Sequence, residues 1–408
     1  MDQERHPSFL GAHKDFYVTL LIVSRVFFSF VCYFIIGISF AILPTYVHVQ
    51  LGYSYTVSGL VISIQYFATL ASRAATGRQA DRFGAKKTVL IGLAGCTVSG
   101  LLLLPATLPL GAWWNLLPLA ASRLMLGFSE SYTATGATLW GMGRVGFHRT
   151  ARVISWNGVA TWGALAAGAP TGVMLDQTGG FTAVSWFITG FSALGFLLAL
   201  LPKPSPIVKG RPQPMRTVVW RVFPHGMGLA LAGVGTAMIM SFITLFFGEH
   251  GWPNAALDLT VFGICFVGIR LLFARQIDRR GGLLVALISL AIETLGLTVL
   301  GLAGTPILAM VGTGLAGCGF SLIFPALGVV AVNRAGAANQ GPALGIYTVF
   351  ADVSLGVAGP VGGRLIARYD YPAAFLFGAT AAAVAFLLTF WLWHAARHES
   401  HPVAARPS

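Results

Sequence analysis

Apolar stretches long enough to cross a bilayer recur along almost the whole chain. A membrane-spanning helix needs about 20 mostly apolar residues, and cutting the chain at its charged or Pro/Gly-rich breaks gives twelve stretches of that kind. They lie near 17–46, 56–76, 88–110, 115–142, 151–175, 181–201, 221–248, 257–275, 283–303, 307–333, 342–367 and 373–395. Only 10% of the 408 residues are charged, whereas soluble domains have roughly 25%. The pattern therefore predicts an all-α membrane protein.

A polar segment divides the twelve spans into two sets of six. Residues 202–220 contain five prolines together with Lys203, Lys209, Arg211 and Arg216. We interpret this segment as a linker between an N-terminal six-helix bundle, residues 1–201, and a C-terminal six-helix bundle, residues 221–408. No separate soluble domain is expected, because the linker is the longest polar stretch between spans.

The placement of the cations predicts the orientation in the membrane. Of 26 Lys and Arg residues, 20 lie at the chain ends or in the even-numbered loops, and the opposite side holds only Arg364 and Arg368. Cytoplasmic loops carry the excess of positive charge, so both termini are expected in the cytoplasm. The net charge of +13 is interpreted as this topology signal and not as a sign of nucleic-acid binding. Within the spans lie Arg25, Arg73, Arg123 and Arg270.

The two halves also repeat each other in sequence. GRQADRFG at 77–84 returns as ARQIDRRG at 274–281, and the same shift places Arg73 on Arg270. A shift of 190 residues places Gly127 on Gly317 and Pro170 on Pro360. Two duplicated six-helix units are typical of transporters in which the solute site lies between two rocking halves.

The loop at 77–87 resembles the loop signature of the major facilitator superfamily. Its Gly77, Asp81, Arg82, Gly84, Lys86 and Lys87 occupy the diagnostic positions, and the twelve spans, the duplicated loop and the central linker extend the resemblance over the whole chain. Within the superfamily the chain is similar to the YhhS/YfcJ-type bacterial branch, which is related to drug and sugar efflux proteins. Four segments carry this similarity: LVISIQYFATLASR at 60–73, RVISWNG at 152–158, GFSLIFPALGVVAV at 319–332 and VSLGVAGPVGG at 353–363. The resemblance implies twelve transmembrane helices in two pseudo-symmetric bundles, in a bacterial inner membrane.

The loop motif has a physical interpretation of its own. Gly77 would let another helix approach, and Gly84 would permit a tight turn. Asp81 offers a carboxylate to the positive N-terminal end of a neighbouring helix, which the resemblance identifies as span eleven, so Asp81 and its repeat Asp278 are candidates for a conformational latch. The alternative for Arg82, Lys86 and Lys87 is that they only fix topology at the lipid headgroups.

Span four carries the strongest candidates for proton coupling. Arg123 and Glu130 lie seven residues apart, about two helical turns, and therefore on one helix face. A charged residue at the bilayer centre costs about 2.5–3.5 kcal/mol on insertion scales, so such a pair is expected to have a function. The resemblance associates Arg123 with proton transfer, and we predict Glu130 as the proton carrier. The alternative is a fixed ion pair that holds helices together.

Four further charged residues lie within the spans. Asp352, in span eleven, is expected either to pair with Arg73 or to take the proton in place of Glu130. Glu293 is expected to be a structural partner within the second bundle. The long side chains of Arg73 and Arg270 lie one turn before the loop motifs and could reach the membrane surface, an interpretation we favour for Arg270.

Small residues and prolines recur in spans five and eleven. Gly168, Pro170 and Gly172, with Gly359 and Pro360, are expected to let helices of opposite halves pack closely and bend. The first set resembles the antiporter motif of exporters, although Ala169 replaces the glycine before the proline. Export is thus favoured, and ordinary helix packing is the alternative.

Polar and aromatic side chains in the spans expected to line the cavity are candidate solute contacts. They combine an apolar body with a hydrogen-bonding edge. The set is Tyr33, Gln65, Tyr66, Tyr132, Trp140, Trp156, Asn157, Trp162 and Tyr347. Trp140 and Trp156 could instead be interfacial anchors.

Other functional classes find no support in the sequence. There is no G-x-x-x-x-G-K-[S/T] phosphate loop, and no zinc-type or Ser/His/Asp constellation appears. The prediction is a monomeric proton-coupled exporter of a small sugar, polar metabolite or drug-like solute, without metal, cofactor, nucleic-acid partner or enzymatic activity. A proton-symport importer or a facilitator is the alternative, and a membrane sensor or enzyme is disfavoured.

Overall fold

A computed structural model describes residues 9–108, 111–146, 149–206, 215–335 and 340–399, and within these ranges all regular structure is helical. Part of the predicted linker, 207–214, and the outermost residues of both chain ends lie outside them. The helices are α1 (Phe9–Thr45), α2 (Tyr55–Phe83), α3 (Ala85–Leu103), α4 (Ala112–Val145), α5 (Thr150–Leu200), α6 (Met215–Glu249), α7 (Ala255–Phe273), α8 (Gln276–Arg280), α9 (Gly282–Gly301), α10 (Pro306–Ala335), α11 (Gln340–Tyr369) and α12 (Tyr371–Glu399).

The predicted fold class is confirmed, although helices and spans do not correspond one to one. α5 contains spans five and six, which are joined at Gly180, where φ is 64° and the helix breaks. α8 has only five residues and connects two spans. Among the described residues, nine helical stretches are long and apolar enough to cross a membrane. One of these stretches, in α5, contains two spans, so the nine stretches account for ten spans. The remaining two spans are α2 and α4, which carry more polar side chains.

One boundary difference concerns the start of span seven, next to the predicted linker. α6 begins at Met215, six residues before the predicted start. The segment from Met215 to Trp220 contains no glycine or proline, so nothing in it prevents the helix from extending beyond its apolar part.

Each half packs as its own bundle around buried apolar side chains. In the first half α1 packs on α4 and α5, and α3 packs on α4 and α5, while in the second half α9 packs on α10 and α12, and α6 packs on α11 and α12. We call the end of the molecule with α8 and residues 201–206 the linker end. The end with residues 51–54, 250–254 and Asp370 is the far end.

The halves meet along two equivalent helix pairs, α2 with α11 and α5 with α7. In the first pair, a methyl group on Gly59 would collide with the backbone of Gly359, and a methyl group on Gly363 would lie 2.6 Å from the backbone of Tyr55 and Thr56. In the second pair, a methyl group on Gly263 would collide with Ala166. Backbone therefore lies directly on backbone where the halves touch, as small residues in membrane helices permit.

Candidate functional site

A buried carboxyl on α4 is hydrogen-bonded to two side chains of α2. Glu130 is 3% exposed. Its Oε2 accepts a hydrogen bond from Gln65 Nε2 at 2.9 Å and one from Thr69 Oγ1 at 3.3 Å. Both donors are neutral groups, so this carboxyl is held without an ion pair to either of them.

The close contact of α2 with α4 depends on a glycine one turn before the acid. A methyl group on Gly127 would collide with the backbone carbonyl of Gln65. Thr69 Oγ1 lies 3.0 Å from the carbonyl oxygens of both Gln65 and Gly127. Gly127 thus lets the acid reach its partners on α2.

Arg123 contacts the same glutamine from the other side. Its Nη1 donates to Gln65 Oε1 at 3.3 Å and its Nη2 donates to Ser122 Oγ at 3.4 Å. The Gln65 amide therefore stands between the guanidinium and Glu130. The fixed Arg123–Glu130 ion pair that the sequence left open as an alternative is not formed in this structure.

An ion pair connects the two halves of the molecule. Arg73 on α2 donates from Nε to Asp352 Oδ2 at 2.7 Å and from Nη2 to Oδ1 at 2.8 Å. Asp352 lies on α11 and is 5% exposed. Of the two alternatives for Asp352, the structure forms the pair with Arg73, and a bidentate pair of this kind fixes both distance and orientation.

This ion pair lies in the same polar region as Glu130. Arg73 follows Thr69 by one turn of α2, and Glu130 interacts electrostatically with both Asp352 and Arg73. Tyr33 on α1 lies near all three charged groups. One polar cluster therefore joins α1, α2 and α4 of the first half to α11 of the second.

The loop-motif residues lie at the linker end. Asp81, Arg82, Lys87 and Asp278 are exposed, and Lys86 Nζ donates to the carbonyl of Leu200 at 2.6 Å. The contact of Asp81 with span eleven stays a prediction. Gly84 has φ 88° and ends α2, which is the tight turn expected of it.

Two expectations about small residues need correction. A methyl group on Gly77 would meet no described atom within 4 Å, so none of the described helices approaches it closely. Gly168 and Gly172 pack against Phe34 and Ile38 of α1, in the same half. The spacing of the small residues predicts that another helix can pack closely on this face of α5, but it does not predict which helix does so.

The small residues of α11 behave as expected. Gly359 packs across the halves, because a methyl group on it would collide with the backbone of Gly59. Of the two prolines in the paired motifs, Pro170 is exposed and Pro360 is half-buried. Gly359 of α11 thus contacts the opposite half, whereas Gly168 and Gly172 of α5 contact α1 of their own half.

The candidate solute contacts divide by burial. Trp140 is fully buried: its ring stacks on Phe28 at 5.6 Å and its Nε1 donates to the Lys203 carbonyl, so it is neither a solute contact nor an interfacial anchor in this structure. The Tyr347 hydroxyl is likewise engaged by the Phe324 carbonyl at 3.0 Å. Gln65, Tyr66 and Tyr132 are buried, whereas the partly accessible members are Tyr33, Trp156, Asn157 and Trp162.

The second half contains buried ionisable groups that differ from expectation. Arg270 does not reach the membrane surface; it is 6% exposed and donates from Nη2 to the Ser321 carbonyl at 2.7 Å. Glu293 is buried, and neither of its oxygens has a hydrogen-bond partner among the described residues.

The sequence interpretation missed Asp258. This acid is fully buried in the first turn of α7, and its two oxygens also have no hydrogen-bond partner within the described ranges. An acid in the first turn of a helix ordinarily faces the helix dipole in water. The apolar residues on both sides of Asp258 were the signal available in the sequence.

Comparison with known proteins agrees with this architecture. The family model of the Major Facilitator Superfamily matches residues 26–350 and 226–408. An MFS-type transporter of Burkholderia pseudomallei (strain 1106a) is 50% identical over 395 residues, which cover 96% of this chain and 97% of the relative. The MFS-type transporter YhhS of Escherichia coli (strain K12) is 49% identical over 380 residues, covering 92% and 93%.

Solved structures show the same fold at low sequence identity. A mutant form of the nucleoside transporter NupG superposes with a TM-score of 0.74 at 16% identity, covering 91% of this chain and all of its own. A D-xylose-proton symporter gives 0.74 at 14% identity, covering 92% and 97%. Together with the matches along the whole sequence, this similarity establishes that the chain is a multi-pass membrane transporter of the Major Facilitator Superfamily.

Proposed function

We propose that this transporter is a proton-coupled exporter that works by alternating access, with Glu130 as the proton carrier. The observation that carries the proposal is the environment of Glu130: a buried carboxyl that accepts hydrogen bonds from an amide and a hydroxyl, with no salt bridge among the described residues. A carboxyl that forms no salt bridge can take up a proton without leaving an unpaired buried cation behind, and its burial favours the protonated form.

The position of Glu130 gives the proton a route to the moving parts. The acid interacts electrostatically with the Arg73–Asp352 pair, which holds α2 against α11. Adding a proton to Glu130 removes a negative charge that competes with Asp352 for Arg73. The proposed cycle protonates Glu130 from outside, rocks the halves, and releases the proton to the cytoplasm as solute is taken up. In one state Arg123, through Gln65, favours the charged form of Glu130, and in the other state it moves away.

Export is the proposed direction because α5 carries the small-residue motif that resembles the antiporter signature, with Ala169 in place of one glycine. The proposed solute class is a small sugar, polar metabolite or drug-like compound. The protein is proposed to act as a monomer in the bacterial inner membrane, since one chain supplies both halves of the pathway. Neither a cofactor nor an enzymatic step is needed in this scheme.

Inverted membrane vesicles test the coupling even though the solute is unidentified. Vesicles with wild-type protein receive a cytosolic small-molecule extract and an imposed pH gradient, acidic inside, and the compounds they accumulate are identified by mass spectrometry. Accumulation is expected to collapse when the gradient is dissipated. It is also expected to fall at least about tenfold in Glu130→Gln, because the amide cannot carry a proton.

The matched control is Glu249→Gln, the same substitution at an exposed acid of the far end, which should accumulate solute like the wild type. Full gradient-driven accumulation in Glu130→Gln would contradict the role of this acid. Gradient-independent equilibration would indicate a facilitator. Solute movement in the same direction as protons would indicate symport, the mode named for the D-xylose-proton symporter of similar fold.

A further inference from the structure

We infer that the transported solute carries an anionic group, a carboxylate or a phosphate, and that Arg270 binds this group between the two halves. The inference deepens the proposed transport function and rests on it. The observations that carry it are the unpaired state of Arg270 among the described residues, its place on the interface, and its relation to Arg73 through the internal repeat.

Arg270 is a buried cation that forms no ion pair with any described acid. Its guanidinium contacts the Ser321 carbonyl through Nη2 and the ring of Phe266, whose centroid lies 4.7 Å from its central carbon. Within the described ranges its Nε has no hydrogen-bond partner, and no carboxylate forms a salt bridge with it. A buried guanidinium held only by neutral groups is costly, and buried charges are ordinarily paired.

Arg270 lies where the halves touch. A methyl group on Gly158 of α5 would collide with Arg270 Nη1, so the guanidinium lies directly against the backbone of the other half. When α5 moves away from α7, this contact is the one that opens, and Arg270 is uncovered. Asn157, the residue before Gly158, has a side-chain oxygen without a hydrogen-bond partner in the described part of the chain, so an acceptor is also available there.

The internal repeat shows how the surroundings of Arg270 differ from those of Arg73. The repeat places Arg270 on Arg73, and α5 with α7 is the counterpart of α2 with α11. Arg73 has its carboxylate, Asp352, on the facing helix. The shift that places Pro170 on Pro360 places Trp162 on Asp352. The first interface therefore contains its own anion, whereas the second has an indole at the equivalent position.

The surroundings of Arg270 suit a solute with an apolar body. Trp162 stacks on Phe266 with ring centroids 4.3 Å apart, and Phe320 meets it edge-on at 5.8 Å. Phe266, which contacts the guanidinium, thus belongs to a cluster of three aromatic rings from α5, α7 and α10. A guanidinium binds a carboxylate or phosphate through two parallel hydrogen bonds, and aromatic faces pack against the remainder of the solute.

A binding measurement on the purified full-length protein tests the inference. A cytosolic small-molecule extract is separated by anion exchange into an anionic and a neutral fraction, both adjusted to equal ionic strength. Thermal unfolding in detergent is then followed by tryptophan fluorescence. Because a ligand that binds the folded state raises the midpoint, we expect the anionic fraction to raise that of the wild type and the neutral fraction to leave it unchanged.

Three variants complete the measurement. Arg270→Gln should lose the response to the anionic fraction. Trp162→Glu should also lose this response, because the introduced glutamate supplies Arg270 with a carboxylate, as Asp352 does for Arg73. The unfolding midpoint of this variant without additions shows whether it folds. Arg25→Gln is the matched control, because Arg25 is equally buried but lies under Trp140; its response should equal that of the wild type.

The outcomes separate this inference from the proposed coupling. The inference would be overturned if the neutral fraction alone, or neither fraction, stabilised the wild type. An unchanged response of Arg270→Gln to the anionic fraction would also overturn it. None of these results depends on a pH gradient or on Glu130. If anion binding requires Arg270 while Glu130→Gln still accumulates solute in vesicles, the anionic solute class stands and the proton-carrier role is contradicted.

Discussion

At the scale of single residues, an amide decides how the charges of α4 are held. Gln65 is both donor and acceptor, so it satisfies Glu130 with its nitrogen and Arg123 with its oxygen. A carboxylate could serve only Arg123, and a lysine could serve only Glu130. Glutamine is the side chain that fits both neighbours while leaving the acid free of an ion pair.

Replacing this amide should disturb both neighbours together. Gln65→Leu leaves Arg123 and Glu130 each without one buried partner, and an unsatisfied buried polar group costs about 1–3 kcal/mol. We expect a clearly lower unfolding midpoint in detergent and loss of gradient-driven accumulation. Gln79→Leu, the same change nearer the linker end of α2, should have little effect on either. Equal midpoints for Gln65→Leu and wild type would show that the hydrogen bonds to Gln65 do not contribute to stability.

The Arg73–Asp352 pair should show strong energetic coupling. Asp352→Asn leaves a partly buried guanidinium without its acid, and Arg73→Gln leaves a buried acid without its cation. The double variant leaves neither charge, so its loss of stability should fall short of the sum of the two single losses by about 0.5–3 kcal/mol. Thermal unfolding of the four proteins measures this difference. Simple additivity would mean that the pair does not hold the halves together.

Some of these residues could be found from the sequence, and others could not. Arg123 and Glu130 were identified because charge inside an apolar run is expensive wherever the helix packs. The bridging role of Gln65 and the inward turn of Arg270 depend on side chains from other helices, which spacing along one helix does not specify. Asp258 was missed because it lies next to the predicted start of its span, where an acid is unremarkable in water.

At the scale of helices, the packing of α2 on α11 depends on glycines at the positions where the two helices touch. A methyl group on Gly359 would collide with the backbone of Gly59 and the hydroxyl of Ser63. The sequence predicted that small residues of α11 pack across the halves. It assigned the same task to Gly168 of α5, which instead faces α1, because a small-residue face fits any helix that approaches it.

Gly359→Ala should therefore separate α2 from α11 at the far end. Gly345 offers a matched control on the same helix, because a methyl group there would meet no described atom within 4 Å. In a background without the four native cysteines, a cysteine introduced at Ser63, which is fully buried, should react several-fold faster with a maleimide in Gly359→Ala. Its rate in Gly345→Ala should equal that of the parent. Equal rates in all three proteins would contradict the steric role of Gly359.

At the scale of the whole molecule, the duplication was readable from the sequence, whereas the difference between its two interfaces was not. Twelve spans and a repeated loop follow from hydropathy and self-similarity. Asp352 against Arg73 and Trp162 near Arg270 break the symmetry, and only packing shows which residues face each other. An ion pair at both interfaces would hold the two halves together at α2 with α11 and at α5 with α7. The first interface contains an ion pair, and the second contains a cation without a described acid, to which we propose that the solute binds.

The charge asymmetry of the whole molecule predicts its orientation in the membrane. At the linker end Arg78, Arg82, Lys87, Arg275, Arg279 and Arg280 are exposed, and each cation near an anionic cytoplasmic leaflet contributes about 1 kcal/mol. The linker end is therefore predicted in the cytoplasm. In the cysteine-free background, a cysteine replacing exposed Asp278 should be protected from an impermeant maleimide in intact cells and should react in inverted vesicles. A cysteine replacing exposed Leu302, at the far end, should behave in the opposite way. Reversal of both patterns would place the termini outside, and the proposed direction of export would reverse with them.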